Sequence, residues 1–259
     1  MRNSYLLLTL AALFWSGNWI AGRALAGLVP PVALTFWRWA IALALIAPLV
    51  APRLWAQRSL LAREWKAIAL LGLLGGGLHN VLQYWGLQYT SATNGSILNS
   101  LTPIFIIVLG AALLRDPFPR AAAAGALVSL AGYTLALRWR PRGLDALSFL
   151  ACFALAAAVP VGIAYAAEHA AGHRMILNAT SLIGLSYVAI FPALLAYHFW
   201  NQGVAAVGAA RAGVFMHLMP FFGAAMGVAF LGERFGLHHA LGMVLIIAGV
   251  TIASRKWAG

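Results

Sequence analysis

Charged side chains are scarce in this chain. Of its 259 residues only 8% are charged and only five are acidic, whereas 63% are hydrophobic. A soluble domain of this size would carry about a quarter charged residues, so there is too little polar surface to cover a water-soluble globule. The apolar runs each approach the roughly 20 residues that a helix needs to cross a bilayer. The sequence therefore predicts an all-α integral membrane protein, with the lipid bilayer as its main partner.

Cysteine occurs once, at Cys152 within an apolar run. A single cysteine excludes an intramolecular disulfide and any multi-cysteine metal site, and we expect neither a metal nor a cofactor. The formal net charge of +12 would suggest nucleic acid in a soluble protein. Here the arginines lie mainly between apolar runs, where they orient a membrane chain, so no nucleic-acid partner is expected.

Apolar runs bounded by proline, glycine and arginine predict nine membrane-spanning helices. Five belong to the first half, at residues 6–25, 31–51, 66–89, 94–114 and 120–137. Four belong to the second half, at residues 145–167, 175–200 (with a possible extension to 207), 211–231 and 239–253. The first run lacks a clear small-residue cleavage site, so we interpret it as a retained helix and not as a secretory signal.

The two halves repeat each other. A shift of 117 residues superposes glycines and prolines of one half on those of the other: Gly86 on Gly203, Pro103 on Pro220, Gly110 on Gly227, and Gly125 on Gly242. Residues 33–36 similarly resemble residues 146–149. Such matches indicate a real duplication. We predict an N-terminal repeat over residues 1–137 and a C-terminal repeat over residues 138–259, which together form one domain.

The first span has no partner in the second half. Its counterpart should lie between residues 137 and 145, where there is no room for it. With nine crossings and a cytoplasmic N-terminus, Arg138, Arg140 and Arg142 would lie outside, against the positive-inside bias, whereas ten crossings remove the conflict. We therefore expect about ten helices, with one of roughly 20 to 30 residues missing near residues 138–142, by deletion or by omission of the segment. Five helices per repeat is an odd number, which predicts inverted repeats, a transporter signature.

Several motifs together resemble a known family. They are the early run Trp15, Ser16, Gly17 and Asn18, the acidic turns Leu114-Arg115-Asp116 and Leu231-Gly232-Glu233 that close the two proline-containing helices, and the Gly132 and Gly249 helices that follow. The chain resembles the EamA family of the drug/metabolite transporter superfamily, over all but the missing helix. The resemblance implies a secondary exporter of amino acids, aromatic or other small neutral ones, or of related metabolites, by alternating access. We expect a bacterial inner-membrane protein with both termini cytoplasmic, as a monomer or homodimer.

Polar residues inside the spans are the candidates for a substrate site, because such groups are costly in lipid and transporter sites lie between repeats. The candidates are Trp15, Asn18, Trp19, His79, Asn80, Gln83, Asn99, His198, Asn201, Gln202 and His217. Pro103 and Pro220 are expected to act as hinges. Arg38, between Trp37 and Trp39, is expected to snorkel to the outer surface.

Structural roles compete with these assignments. A tryptophan near a helix end often belongs to the interfacial belt, and an amide inside a span often bonds a neighbouring helix. Two glycine pairs, Gly72 with Gly76 and Gly223 with Gly227, are expected only to let helices approach closely.

The acidic residues restrict how transport could be driven. All five fall at or beyond predicted helix ends: Glu64, Asp116, Asp145, Glu168 and Glu233. Coupling through a carboxylate is therefore not expected. Either a histidine such as His79 shuttles protons, or the protein is an uncoupled facilitator, which we favour.

Other classes of protein fit less well. No nucleophile with its base, metal cluster or paired carboxylate stands at mid-helix, so an enzyme is not expected. A haem-binding membrane electron carrier that uses His79, His198 or His217 stays open, as does a passive channel.

Overall fold

The structure is a computed structural model that describes residues 2–99, 143–208, 212–237, 239–241 and 244. Over these residues the chain is helical and contains no strand. Six of its described helices are long and apolar enough to cross a membrane, at Asn3–Ala24, Pro31–Ala56, Arg58–Gly86, Ala146–Ala170, Ala179–Val207 and Val214–Leu231.

Two continuous helices open the first half. Helix α1 covers Arg2–Ala24 and helix α2 covers Pro31–Ala56. Between them Gly27 adopts a φ of 80°, a conformation that favours glycine. Pro31 begins α2 because the fixed φ of proline suits the first helical position, where a missing N–H costs nothing.

The third span changes its helical form along its length. Helix α3, Arg58–Leu71, continues as a π-helical segment over Gly72–Leu78 and then as helix α4 over His79–Gly86. It begins earlier than the predicted residue 66, because the polar and charged residues that precede the apolar part are also helical. Helix α5 follows at Ala92–Asn99.

The second half repeats this pattern. Helix α6 covers Ala146–Ala170, helix α7 covers Ala179–Ile190, a π-helical segment covers Phe191–Leu195, and helix α8 covers Ala196–Val207. A 3₁₀ turn at Val214–His217 leads into helix α9, Leu218–Leu231, which ends at Gly232 with a φ of 64°. A shift of 117 residues carries the first π-helical segment onto residues 189–195, which overlaps the second.

Asp145 caps the start of α6. Its carboxylate accepts hydrogen bonds from the amides of Leu147 and Ser148, both at 3.1 Å, and from the Ser148 hydroxyl at 2.6 Å. Burial acts to raise the pKa of Asp145, but the Ser148 and Leu147 hydrogen bonds and the charge of Arg53 outweigh it and hold the pKa below its usual range. The charged carboxylate therefore stabilises the first turn of α6, where the helix dipole favours an anion.

Contacts between helix ends and the segments that connect them define one end of the bundle, which we call the Pro31 end. The amide of Ala33 donates to Glu168 Oε2 at 3.0 Å, and the amide of Ile176 donates to Leu28 O at 2.8 Å. Glu233 accepts from the amides of Ala92 at 2.7 Å and Thr93 at 2.9 Å. The two sets of contacts are joined by Arg23 at the end of α1, whose Nη1 donates to Leu87 O at 2.9 Å. The start of α2, the start of α5, the end of α6 and the end of α9 therefore lie at the same end.

The opposite end, which we call the Gln57 end, is defined by a second set of contacts. Gln57 Nε2 donates to Gly143 O at 3.3 Å, and Arg53 lies 3.8 Å from Asp145. The rings of Tyr5 and Phe215 stack at 5.7 Å. The 26 residues of α2 place this end roughly 39 Å from the Pro31 end.

Helices that the duplication relates run in opposite directions between these ends. Helix α2 runs from the Pro31 end to the Gln57 end, whereas α6 runs the other way. The same holds for α4 against α8 and for α5 against α9. Helix α2 packs along α6, and α5 packs along α9, so the two halves meet through related helices.

Glycines set the close approach of these helices, as the sequence predicts. A methyl group on Gly72 would come within 2.9 Å of the backbone of α6, at Ala156 C and Phe153 O, and one on Gly76 would come within 2.6 Å of Ala157. On the other helix pair, a methyl group on Gly227 would lie 2.7 Å from Thr93 Oγ1. The structural interpretation of both glycine pairs is confirmed.

Some predictions lie outside the described residues. These are the span at 120–137, most of the spans at 94–114 and 239–253, the repeat boundary at 137 and 138, the missing helix near 138–142, and the proposed hinge at Pro103.

Candidate functional site

A buried arginine lies at the centre of a polar cluster inside the spans. Arg38 of α2 is 3% exposed. Its Nη1 donates to Asn80 Oδ1 at 2.7 Å, to Tyr84 Oη at 2.9 Å and to Asn18 Oδ1 at 3.2 Å. The Tyr84 hydroxyl in turn donates to Asn18 Oδ1 at 2.7 Å. We call these four side chains, from α1, α2 and α4, the Arg38 cluster.

The expectation that Arg38 snorkels to the outer surface is wrong. Seven residues of helix place Arg38 roughly 10 Å from the Pro31 end, within reach of the interface. The side chain turns inward instead, because two neighbouring helices offer it three oxygen acceptors and Trp39 lies with its ring centre 5.1 Å from the guanidinium carbon.

The charge of Arg38 meets only neutral oxygens in the part of the chain that the structure describes. The described carboxylates are engaged near the ends of the bundle: Glu64 with Arg63 at 3.0 Å, Asp145 at the start of α6, Glu168 at the start of α2 and Glu233 at the start of α5. Their position agrees with the sequence prediction, and Asp116 lies outside the described residues. A buried cation without a counter-charge is costly in a membrane, which marks the cluster as a functional candidate.

The first π-helical segment supports the cluster directly. Gly76 O accepts from the Trp39 indole at 2.7 Å and from Asn80 Nδ2 at 2.8 Å. A π-helical turn shifts the backbone hydrogen-bond register, and such turns are frequent at functional sites. Both bonds orient residues that surround Arg38.

The second π-helical segment receives a related bond. The Trp15 indole donates to Pro192 O at 3.1 Å. Each half therefore contributes one π-helical carbonyl to an indole of the first half, which ties α1 and α2 to the two segments where the helices depart from regular geometry.

Aromatic rings from both halves lie next to the cluster. Trp15 packs against Tyr197 and Trp200, each with ring centres 5.4 Å apart, and Trp39 packs against Phe153 at 5.3 Å. The rings of Trp39 and Tyr197 lie 6.2 Å apart. We call Trp15, Trp39, Phe153, Tyr197 and Trp200 the aromatic wall.

The structure brings together only some of the predicted site residues. Asn18 and Asn80 belong to the Arg38 cluster, and Trp15 belongs to the aromatic wall. His79 is partly buried and immediately precedes Asn80 at the start of α4. Trp19 packs beside α5, where a methyl group on Gly95 would lie 2.6 Å from its ring.

The other predicted residues have different surroundings. Gln202 and His198 pair with each other at 2.9 Å on an exposed surface, and Asn201 Nδ2 donates to Tyr197 O at 2.8 Å within its own helix. Asn99 Nδ2 lies 4.0 Å from Met219 Sδ. The Gln83 side chain has no hydrogen bond to the described part of the chain, because the face of α4 that meets Arg38 carries Asn80 and Tyr84.

The predicted binding residue His217 and the predicted hinge Pro220 both lie at the start of α9. His217 ends the 3₁₀ turn, and Pro220 lies in the first turn of α9, where the backbone passes from 3₁₀ to α-helical geometry. A role for Pro220 in bending stays a prediction.

Sequence reasoning missed Arg38 and Tyr84. One signal was available, because Asn80 and Tyr84 are four residues apart and so share a helix face. The orientation of Arg38 depends on how three helices pack and has no counterpart in the sequence pattern.

These features define a polytopic membrane protein with a buried polar site, and comparison with known proteins places it more narrowly. The EamA-like transporter family matches residues 2–138 and again residues 123–255. The chain therefore belongs to this family of membrane transporters.

Relatives of the chain are transporters too. It is 23% identical to the uncharacterized transporter YyaM of Bacillus subtilis, with 97% of this chain and 93% of that protein covered. It is 25% identical to an uncharacterized transporter of Archaeoglobus fulgidus, with 98% of each covered. A probable terminal-alkyne amino-acid exporter of Streptantibioticus cattleyicolor is 25% identical over 76% of each chain. No solved structure matches the chain significantly.

Two of these alignments are longer than the chain itself. The alignments to YyaM and to the Archaeoglobus protein run over 288 and 291 positions, whereas the chain has 259 residues, so at least 29 and 32 positions have no counterpart in it. The two matches to the family also overlap, since both include residues 123–138.

Proposed function

We propose that the protein is a secondary transporter that exports amino acids or related small metabolites by alternating access. The observation that carries this proposal is the Arg38 cluster, a polar site inside the spans with aromatic walls from both halves. Transporter sites have this character, with few polar groups to orient a ligand and apolar surfaces around them. The amino-acid exporter among the relatives supports the substrate class.

The basic residues at the Gln57 end indicate the orientation in the membrane. The Gln57 end carries Arg53, Arg58, Arg63 and Lys66 within a short stretch. Cytoplasmic segments carry an excess of lysine and arginine. We therefore propose that the Gln57 end is cytoplasmic in a bacterial inner membrane and that the Pro31 end is external.

The ten-helix plan also belongs to the proposal. Ala92 lies at the Pro31 end and Asp145 at the Gln57 end. The sequence between them contains two apolar runs, at 94–114 and 120–137. Together with the longer alignments of the relatives, this supports a family plan of ten helices in two inverted repeats, in which one further crossing lies between the counterparts of residues 137 and 145.

Transport is proposed to be uncoupled. Inside the described spans the polar cluster contains a fixed cation and neutral groups, with no carboxylate to carry a proton or hold sodium. Export would then follow the substrate's own gradient. A proton shuttle through His79 is the alternative that the experiment below must separate.

Flux from proteoliposomes tests the proposal. Vesicles loaded with labelled alanine, leucine, phenylalanine and other metabolites should release at least one compound faster than protein-free vesicles, and should show counterflow, which a passive channel cannot support. A pH gradient should not drive accumulation. Equal flux for every compound with and without protein would contradict the transport proposal, and accumulation driven by pH and abolished by His79→Ala would contradict the uncoupled mechanism.

A further inference from the structure

We infer that the free edge of the Arg38 guanidinium binds the carboxylate of the transported molecule, so that carboxylates, and not amines or neutral amides, are the ligands of this protein. The inference rests on the proposed function only for the view that the ligand is transported. The binding site itself rests on the geometry around Arg38.

The guanidinium is bonded on one nitrogen only. All three hydrogen bonds to Asn18, Asn80 and Tyr84 come from Nη1. Nε is buried and has no partner among the described residues, and Nη2 makes no hydrogen bond to them either. The edge that Nε and Nη2 form carries two parallel N–H groups, which is the geometry that matches the two oxygens of a carboxylate.

The energetics of burial favour an anionic ligand at this edge. A buried donor without a partner costs free energy, and the cost is larger when the donor carries charge. The neutral oxygens that accept hydrogen bonds from Nη1 stabilise one part of the guanidinium but leave its charge uncompensated. A carboxylate would satisfy Nε and Nη2 and neutralise the charge, whereas a cationic ligand would add a like charge and be rejected.

The surroundings define which other parts of the ligand matter. The aromatic wall offers apolar surface for a side chain, with Trp39 beside the guanidinium itself. No carboxylate of the described residues stands in the cluster to pair with a ligand ammonium group. The carboxylate is therefore expected to be essential for recognition and the ammonium group dispensable.

Matched ligands test the inference on the purified protein. The probes are alanine, leucine and phenylalanine, their carboxamides, and their N-acetyl derivatives. Binding is measured as the rise in Tm with ligand concentration, which does not require transport, and efflux is measured in parallel. Acids and N-acetyl acids should bind at least ~10-fold more tightly than the carboxamides, since only a carboxylate accepts both parallel N–H groups and also neutralises the charge.

Two variants assign the selectivity to the free edge. Arg38→Lys keeps a cation and a donor for the acceptors around Nη1 but lacks the paired N–H groups, so the preference for acid over amide should fall about 10-fold. Leu82→Ala changes the exposed face of α4 and leaves the cluster intact, so the preference should persist. The Tm of each variant without ligand reports whether it folds, and the comparison of acids with amides in the wild type needs no variant.

Each result decides a definite point. Equal binding of acids and amides, or no binding of any acid, overturns the inference even if efflux occurs. An unchanged preference in Arg38→Lys removes the assignment to this edge. Selective binding of acids without efflux of any of them supports the inference and overturns the proposed transport function.

Discussion

Asn80→Leu is expected to reduce efflux of a transported substrate at least about 10-fold and to lower the Tm of the protein, because it removes the closest acceptor of a buried charge. Asn80 Oδ1 lies 2.7 Å from Arg38 Nη1, and Asn80 Nδ2 donates a hydrogen bond to Gly76 O. The substitution therefore loosens both the guanidinium and the π-helical segment. Efflux from proteoliposomes and thermal unfolding in detergent measure the two effects.

The matched control for this substitution lies on the same helix. Leu82 is 43% exposed and faces away from the cluster, so Leu82→Ala should retain efflux close to that of the wild type. If Asn80→Leu transports as well as Leu82→Ala, then the Arg38 cluster does not form the substrate site.

Gly72→Val is expected to destabilise the fold by about 1–3 kcal/mol or more, through overpacking between α6 and the third span. The nearest atoms of α6 include Ala156 C and Phe153 O at 2.9 Å from the position that a Cβ would take. Backbone atoms cannot rotate away as a side-chain terminus can, so the helices must separate. A loss of monodisperse protein and a lower Tm are the expected readouts.

Gly86→Val provides the comparison. A Cβ on Gly86 would meet nothing within 4 Å in the described structure, and valine has a higher helix propensity than glycine. This variant should be as stable as the wild type or slightly more so. Equal losses in both variants would mean that the close approach of α6 to Gly72 does not stabilise the fold.

The fold class could be predicted because the bilayer restricts helix length and composition so strongly. Span positions follow from hydropathy, and the opposite directions of α4 and α8 follow from the glycine and proline matches at a shift of 117 residues together with an odd number of helices per repeat. The family, too, could be identified from motifs. The two π-helical segments could not, since they arise where Gly75, Gly76 and Pro192 pack against neighbouring helices.

The site was only partly predictable. Asn18 and Asn80 stand out because uncharged amides inside a span need partners. Arg38 did not, because an arginine near a helix end is normally able to reach the interface. Only the packing of α1, α2 and α4 shows that three acceptors converge on it. His198 and Gln202, whose spacing matches that of His79 and Gln83, bond each other on an exposed surface.

The central claim is that two oppositely oriented helical units enclose the site. It is tested most directly by the side of the membrane on which two repeat-related positions lie. Ser59 lies in the first turn of α3, just beyond the end of α2, Ala171 follows the related helix α6, and both are exposed. In a Cys152→Ala background, Ser59→Cys and Ala171→Cys should react with a membrane-impermeant maleimide from opposite sides. We expect Ala171→Cys to label in intact cells and Ser59→Cys only after the membrane is opened. Labelling of both positions from the same side would contradict the inverted arrangement, and with it the proposed transporter.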